Sequence, residues 1–219
     1  MSVIQTLLEA RNALAANKVA ILSVLALPLL IITASEVAAA YYGTPGSAVY
    51  AAQLVSYFLY CSVAIFLHRL IILGTDAENP SPFIPKGRVF KFLIYSIALG
   101  LILIPAILLI HIPVVGFLLS YIAITYIVCR LSFIFPAIAV DVDWTFKDSW
   151  QATRRHHLQL FVLLGIIPFV LNLPYYIPAT SLAAFACISI LSTIAMVIGV
   201  AILSVCFEKL TTERSHEFI

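Results

Sequence analysis

The sequence predicts an all-α integral membrane protein with six transmembrane helices, arranged as three hairpins, and with amphipathic helices at the membrane interface. Three observations lead to this prediction. The composition is strongly apolar, six apolar runs are long enough to cross a bilayer, and all lysines and arginines lie around alternate connections between those runs. A transmembrane helix needs about 20 mainly apolar residues, and each run meets that requirement.

The composition excludes an ordinary soluble domain. Of the 219 residues, 63% are hydrophobic and 10% are charged, whereas soluble domains carry about 25% charged residues. The four cysteines stand singly in apolar runs, without the Cys/His spacing of a zinc site, so we expect buried thiols. No cofactor, metal site, nucleic-acid partner or catalytic residue is expected, and residues 1–18 do not resemble a secretory signal.

The elements follow in order from an amphipathic start. In residues 1–18 the apolar residues Ile4, Leu7, Leu8 and Leu14 recur at helical spacing. This segment is too polar to span a membrane, so we expect it at the interface. The predicted spans and the predicted cytoplasmic tail that follows them are residues 19–42, 48–73, 89–111, 114–138, 158–178, 181–206 and 207–219.

Prolines and tyrosines support this division into spans. Pro174 and Pro178 are expected to end the fifth span early, because proline lacks an amide N–H and clashes with the preceding turn. Tyr50 and Tyr175 stand at predicted outer turns, where amphipathic rings favour the headgroup level.

The distribution of positive charge predicts the orientation. The twelve cationic residues are Arg11, Lys18, Arg69, Lys86, Arg88, Lys91, Arg130, Lys147, Arg154, Arg155, Lys209 and Arg214. The opposite connections, at 43–47, 111–113 and 175–181, contain none. By the positive-inside rule the cationic side is cytoplasmic, so both termini are predicted in the cytoplasm.

The ends of the even-numbered spans favour a repeat of three hairpins. They read LHRL at 67–70, VCRL at 128–131 and, more loosely, CFEKL at 206–210. An alternative is that any six-span protein places a cation at each inner helix end, without an underlying repeat.

Residues 144–157 are predicted to form an amphipathic helix on the cytoplasmic side. Thr145 and Asp148 have the spacing of a capping box. We expect the helix either to lie on the bilayer, with aromatic rings inserted and cations on anionic headgroups, or to bind a partner. The candidate lipid or partner contacts over the whole chain are Arg69, Arg130, Trp144, Trp150, Arg154 and Arg155.

Two further polar groups have competing interpretations. Asp141 and Asp143 resemble a metal-binding DxD pair, but solvated acids that offset Arg130 and Lys147 are the simpler interpretation. The adjacent His156 and His157 lack zinc spacing.

The arginines at the ends of the even spans and one acid inside a span also have two interpretations. Arg69 and Arg130 are expected to extend towards lipid phosphates; alternatively, Arg130 pairs with the nearby aspartates or holds a headgroup. Glu36 is the one acid inside a predicted span. It is expected near the outer boundary, hydrogen-bonded or close to His111, with a proton or cation relay as the alternative.

Three stretches resemble a known group of membrane proteins. FLHRLIILG (66–74), RLSFIFPAIAVD (130–141) and FKDSWQATRRH (146–156) together resemble a loose group of six-span bacterial inner-membrane proteins. They are also similar to the membrane region attached to some glycerophosphodiester phosphodiesterases. The resemblance implies six helices, a bacterial inner membrane and cytoplasmic termini. It supplies no catalytic residue.

Two functions are therefore expected. The first is a non-catalytic accessory or scaffold subunit of a larger membrane assembly, because the polar connections are short and aromatic-cationic helices suit contacts with other subunits and with anionic lipid. The second is a small transporter or lipid-handling protein, because interior prolines and Glu36 are features that transport helices also use.

Overall fold

The computed structural model describes residues 2–42, 47–74, 87–176 and 181–216, and these ranges are helical without β-strand. The predicted all-α class is confirmed. The α-helices are α1 Val3–Ala16, α2 Lys18–Tyr42, α3 Ser47–Leu73, α4 Gly87–Leu108, α5 Gly116–Leu131, α6 Ile134–Ala139, α7 Phe146–Ala152, α8 His157–Phe161, α9 Ile167–Leu171 and α10 Leu182–His216. The outer connection at 43–46, Lys86 and Pro178 lie outside the described residues.

Five stretches are long and apolar enough to cross a membrane, which supports a multi-pass membrane protein. They are Lys18–Ala38, Tyr50–Leu73, Gly87–His111, Gly116–Ala139 and Leu182–Glu213. Each corresponds to a predicted span, and the fourth combines α5 with α6. The last helix continues to His216, so the part of the predicted tail up to that residue is a helical extension of the final span.

The predicted fifth span is shorter than the others. It consists of α8, a π-helical turn at Val162–Ile166, and α9, each of five residues. At 1.5 Å per residue this segment is about 22 Å long, against about 30 Å of hydrocarbon. Pro168 cannot donate an N–H to the preceding turn, which explains the local widening. Pro174 lies in a 3-10 turn after the helix end, as expected for an early stop.

The interior is built from small and branched residues of α6 and α10. Ile134, Ala137, Ala201 and Ile202 have no exposed surface. The outer helices are α2 and α4, since 17% and 11% of their most apolar windows are buried, against 61% for the corresponding window of α3. Their apolar sides face outward, as lipid-facing helices do.

The helix α1 packs against α10. Thr6 and Ala10 are buried in this contact, and Leu7 packs beside them. Lys209 of α10 donates to Thr6 Oγ1 at 3.2 Å and pairs with Glu9 at 2.7 Å. A helix is thus present where the sequence predicted one, but its predicted apolar face is divided. Leu7 and Leu14 pack on the core, whereas Ile4 and Leu8 are exposed.

Candidate functional site

The two aspartates after α6 hold three helices together, and we call this group the acid clasp. Asp141 accepts hydrogen bonds from Arg88 Nε and Nη2, both at 2.5 Å, and from Arg69 Nη1 at 3.2 Å. Asp143 pairs with Lys91 Nζ at 2.7 Å. The ends of α3 and α4 are thereby joined to the α6–α7 connection. We call this side of the bundle the basic end.

The acid clasp changes two predictions. The aspartates do not offset Arg130 and Lys147; they pair with Arg69, Arg88 and Lys91. Arg69 is therefore an internal contact, and its Nη1 also donates to Ala139 O at 2.8 Å. The described residues contain no group of three His, Cys, Asp or Glu that could hold a metal ion.

The Asp141 carboxylate is electrostatically stabilised by the clasp. Its hydrogen bonds from Arg88, together with the charges of Arg88 and Arg69, hold the pKa of the Asp141 carboxyl below its usual value. The backbone of Asp141 has a positive φ of 62°, a conformation that Asp and Asn tolerate better than most residues.

Arg130 at the end of α5 lies in a second cluster, the arginine box. It is 4% exposed. Its Nε donates to Thr153 Oγ1 at 2.8 Å, its Nη1 donates to Tyr126 Oη at 3.0 Å, and its Nη2 donates to Trp150 O. The guanidinium carbon lies 3.9 Å from the Trp150 ring centroid, a cation–π distance. Ser149 Oγ completes the box by donating to Arg130 O at 2.7 Å.

The arginine box differs from the alternative in which Arg130 pairs with Asp141 or Asp143. Every acceptor that the structure assigns to its side chain is neutral, among the residues that it describes. A buried cation balanced by neutral oxygens and an aromatic face leaves a net positive charge below the α7 turn.

The helix at 144–157 differs from its prediction in length and in its buried face. The capping box is confirmed, since Thr145 and Asp148 bond reciprocally. The helix α7 ends at Ala152, however, and the fully buried side chains are Ser149 in the helix and Thr153 directly after it. Small hydroxyl residues are needed there because Arg130 occupies the adjoining space.

The tryptophans have different roles. Trp144 packs edge-on against Phe207 of α10, with centroids 5.0 Å apart, so this half-buried ring makes an internal contact. Trp150 is 40% exposed and covers Arg130. Of the predicted contact residues, Trp150, Arg154 and Arg155 are exposed, on the surface formed by α7 and the turn that follows it.

Beside this surface lies a polar depression of about 200 Å³, the basic cleft, at the basic end. It is lined by Gln151, Ala152, Arg154, Arg155, His156, Leu210 and Glu213. His156 Nε2 contacts Glu213 Oε2 at 2.9 Å, and His156 Nδ1 contacts Gln159 Oε1 at 3.0 Å. Arg154 is exposed, and its guanidinium has no hydrogen bond or ion pair with the described residues.

Glu36 joins three helices near the opposite end of the bundle. Tyr60 of α3 donates to Glu36 Oε1 at 2.7 Å, and Ser189 of α10 donates to Oε2. The hydrogen-bond interpretation fits this geometry. His111 lies exposed in the 3-10 turn after α4, and among the described residues the hydrogen bonds of Glu36 come from Tyr60 and Ser189 instead.

His68 is a buried polar residue that the sequence analysis did not select. It is 1% exposed, and its Nδ1 lies 2.8 Å from Ser204 Oγ. Ser204 donates its own proton to Val200 O, so the His68 Nδ1–H is the donor. A histidine inside an apolar run is a detectable signal, but its partner on α10 is 136 residues away.

A larger cavity of about 430 Å³ lies between α5, the α8–α9 segment and α10, and we call it the π-turn cavity. Its lining includes Tyr121, Thr125, Phe169, Asn172 and Ser192. Asn172 Oδ1 accepts from Ser192 Oγ at 3.3 Å, so one edge is polar and the rest is mainly apolar. π-Turns occur often at functional sites, and such a lining suits an amphipathic molecule.

Comparison of the chain with family models, curated proteins and solved structures found no match. The resemblance to the membrane region attached to some phosphodiesterases stays a prediction. The function is therefore inferred from the geometry of the clusters described above.

Proposed function

We propose that the chain is a non-catalytic, multi-pass protein of a bacterial inner membrane that serves as an accessory or scaffold subunit of a larger membrane assembly. The observation that carries this proposal is the use of charged side chains as links between helices. Glu36 joins α2, α3 and α10, Arg130 joins α5 to α7, and Asp141 joins α3 and α4 to the α6–α7 connection.

Such links favour a rigid helical framework. A carboxylate or guanidinium that is held by several hydrogen bonds from neighbouring helices has little freedom to accept and release a proton or substrate. Catalytic groups, in contrast, need an accessible nucleophile, acid or base close to a substrate site. The polar groups of this interior support a structural role.

The same proposal places both termini in the cytoplasm. The acid clasp brings Arg69, Arg88 and Lys91 to one end of the bundle, and Lys209 lies on the extension of α10 that packs on α1. This grouping agrees with the cationic connections from which the positive-inside rule assigns orientation. Cysteine labelling from each side of the membrane would test it.

The subunit role is tested by purification at native expression. The protein is tagged at its C-terminus, extracted in a mild detergent, and its stoichiometric partners are identified by mass spectrometry. We expect a defined partner whose recovery falls when Arg154 is replaced by Glu. The matched control is Lys147→Glu, an exposed cation on the same connection. Recovery of the protein without a partner, or equal partner recovery with both variants, would contradict a role in partner binding for the surface around Arg154.

A second candidate function is lipid handling or small-molecule transport, and the π-turn cavity favours it. The test variant is Ser192→Leu, which adds apolar volume at the polar edge of the cavity. The control is Leu191→Phe, a change at the neighbouring residue of α10, which is 47% exposed and does not line the cavity. If the cavity holds lipid, Ser192→Leu reduces the lipid that copurifies with the protein and Leu191→Phe does not. Equal lipid content in both variants would exclude this use of the cavity.

A further inference from the structure

We propose that the basic cleft binds the phosphate-bearing headgroup of an anionic phospholipid. The proposal rests on the membrane location in the proposed function, but not on the presence of a partner protein. It assigns a ligand to Arg154 and Arg155, the two exposed arginines on the turn between α7 and α8.

The charges around the cleft favour an anion. On the side of the α7–α8 turn the lining contains Arg154, Arg155 and His156, and on the side of α10 it contains Glu213. Glu213 is engaged by His156 at 2.9 Å. Arg154 has no ion pair within the described part of the chain, so its charge is available to a ligand.

Arg130 adds to this positive potential from below. It lies under the same turn, where it bonds to Thr153 and to Trp150 O, and it is 4% exposed. A charge in a poorly solvated interior is less screened than one in water. An anion in the cleft therefore lies beside Arg154, and the buried Arg130 is bonded to Thr153, the residue that precedes Arg154.

The size and shape of the cleft suit a headgroup. Its volume of about 200 Å³ is several times the ~30 Å³ that one water molecule occupies in the liquid. Arginine is well suited to phosphate, since its planar N–H groups can donate two parallel hydrogen bonds. Gln151 adds an amide at the same rim.

The surroundings point to a lipid rather than to a soluble phosphate. Leu158 is 71% exposed and Trp150 is 40% exposed, and they stand on either side of the two arginines in the chain. The apolar segment His157–Leu171 starts at this position. Exposed apolar side chains next to cations match the boundary between headgroups and acyl chains.

Native mass spectrometry of the delipidated full chain in detergent tests the proposal. Phosphatidylglycerol and phosphatidylcholine are added separately, and bound lipid is counted for the wild type and for Arg154→Gln/Arg155→Gln. We expect the wild type to bind phosphatidylglycerol in preference to phosphatidylcholine. Its affinity for phosphatidylglycerol should fall about fivefold for each arginine removed, the ratio that corresponds to about 1 kcal/mol per cation. Arg154→Lys should retain most binding, and Lys147→Gln is the matched control.

Each other outcome overturns the inference. Equal binding of the two lipids, or unchanged binding in the double variant, removes the arginines from lipid recognition. If inorganic phosphate competes with phosphatidylglycerol at equal concentration, the ligand is a free anion and not a lipid. Carbonate extraction of membranes separately tests the membrane location on which the proposal rests. A protein that is not integral is released by that treatment, whereas an integral protein that fails to bind phosphatidylglycerol stays in the membrane.

Discussion

Replacement of Gly165 by alanine is expected to destabilise the bundle, because this glycine permits a close approach of the π-turn to α5. An added Cβ would lie 2.2 Å from Thr125 Cγ2, far inside van der Waals contact, and 3.8 Å from Cys129 Sγ, an ordinary distance. Overpacking of this kind costs about 1–3 kcal/mol. A contact as short as 2.2 Å calls for the upper part of this range, about 2–3 kcal/mol. A gain of about 1 kcal/mol in helix propensity opposes it, so we expect a net loss of about 1–2 kcal/mol.

The free energy of unfolding is measured by titration of the purified protein from mild detergent into dodecyl sulfate, with tryptophan fluorescence as the signal. Thr125→Ser removes the one methyl group in conflict and keeps the hydroxyl. We therefore expect Gly165→Ala/Thr125→Ser to recover most of the stability that Gly165→Ala loses. Gly100→Ala is the control, since a Cβ there meets nothing within 4 Å. Equal stability of Gly165→Ala and wild type, or no recovery in the double variant, would refute this account of the contact.

Three further substitutions test the polar links. Asp141→Asn should remove the part of the pH dependence of unfolding that comes from this carboxyl. In the folded protein Arg88 lowers the pKa of Asp141. The carboxylate therefore stabilises the fold above its unfolded pKa, and this stabilisation is lost as the pH falls through the folded pKa. Arg130→Lys should lower the free energy of unfolding by about 1–3 kcal/mol and shift Trp150 fluorescence, because lysine cannot make the same three hydrogen bonds and stack. Glu36→Gln should cost about 1 kcal/mol in the same titration while leaving partner recovery unchanged.

Matched variants separate these effects from general damage. Asp143→Asn alters an aspartate with a single, more exposed lysine partner and should leave most of the pH dependence in place. Lys147→Arg should not change tryptophan fluorescence. Tyr60→Phe removes one donor to Glu36 and should give a loss similar to that of Glu36→Gln. Loss of partner recovery in Glu36→Gln, with folding intact, would instead assign this carboxylate to partner binding and contradict a purely internal link.

The sequence predicted the membrane class and most helices because these properties depend on neighbouring residues. Apolar runs of about 20 residues and the 3.6-residue period of α1 are visible along the chain. The Thr145–Asp148 capping box was equally predictable, because its hydrogen bonds join residues three apart. The grouping of cationic residues at one end of the bundle was also predictable, because they lie around alternate connections between the spans.

The sequence did not show which polar groups are internal links and which are exposed. Arg69 and Arg154 look alike in sequence, yet Arg69 pairs with an aspartate 72 residues away, whereas Arg154 lines an exposed cleft. The short, π-turned fifth segment also depends on its neighbours, since Gly165 can approach α5 only where Thr125 lies. Composition and periodicity determined that this chain forms apolar helices; tertiary packing decided the partners of Arg69, Arg130 and Glu36, because each bonds to groups that chain spacing alone does not bring together.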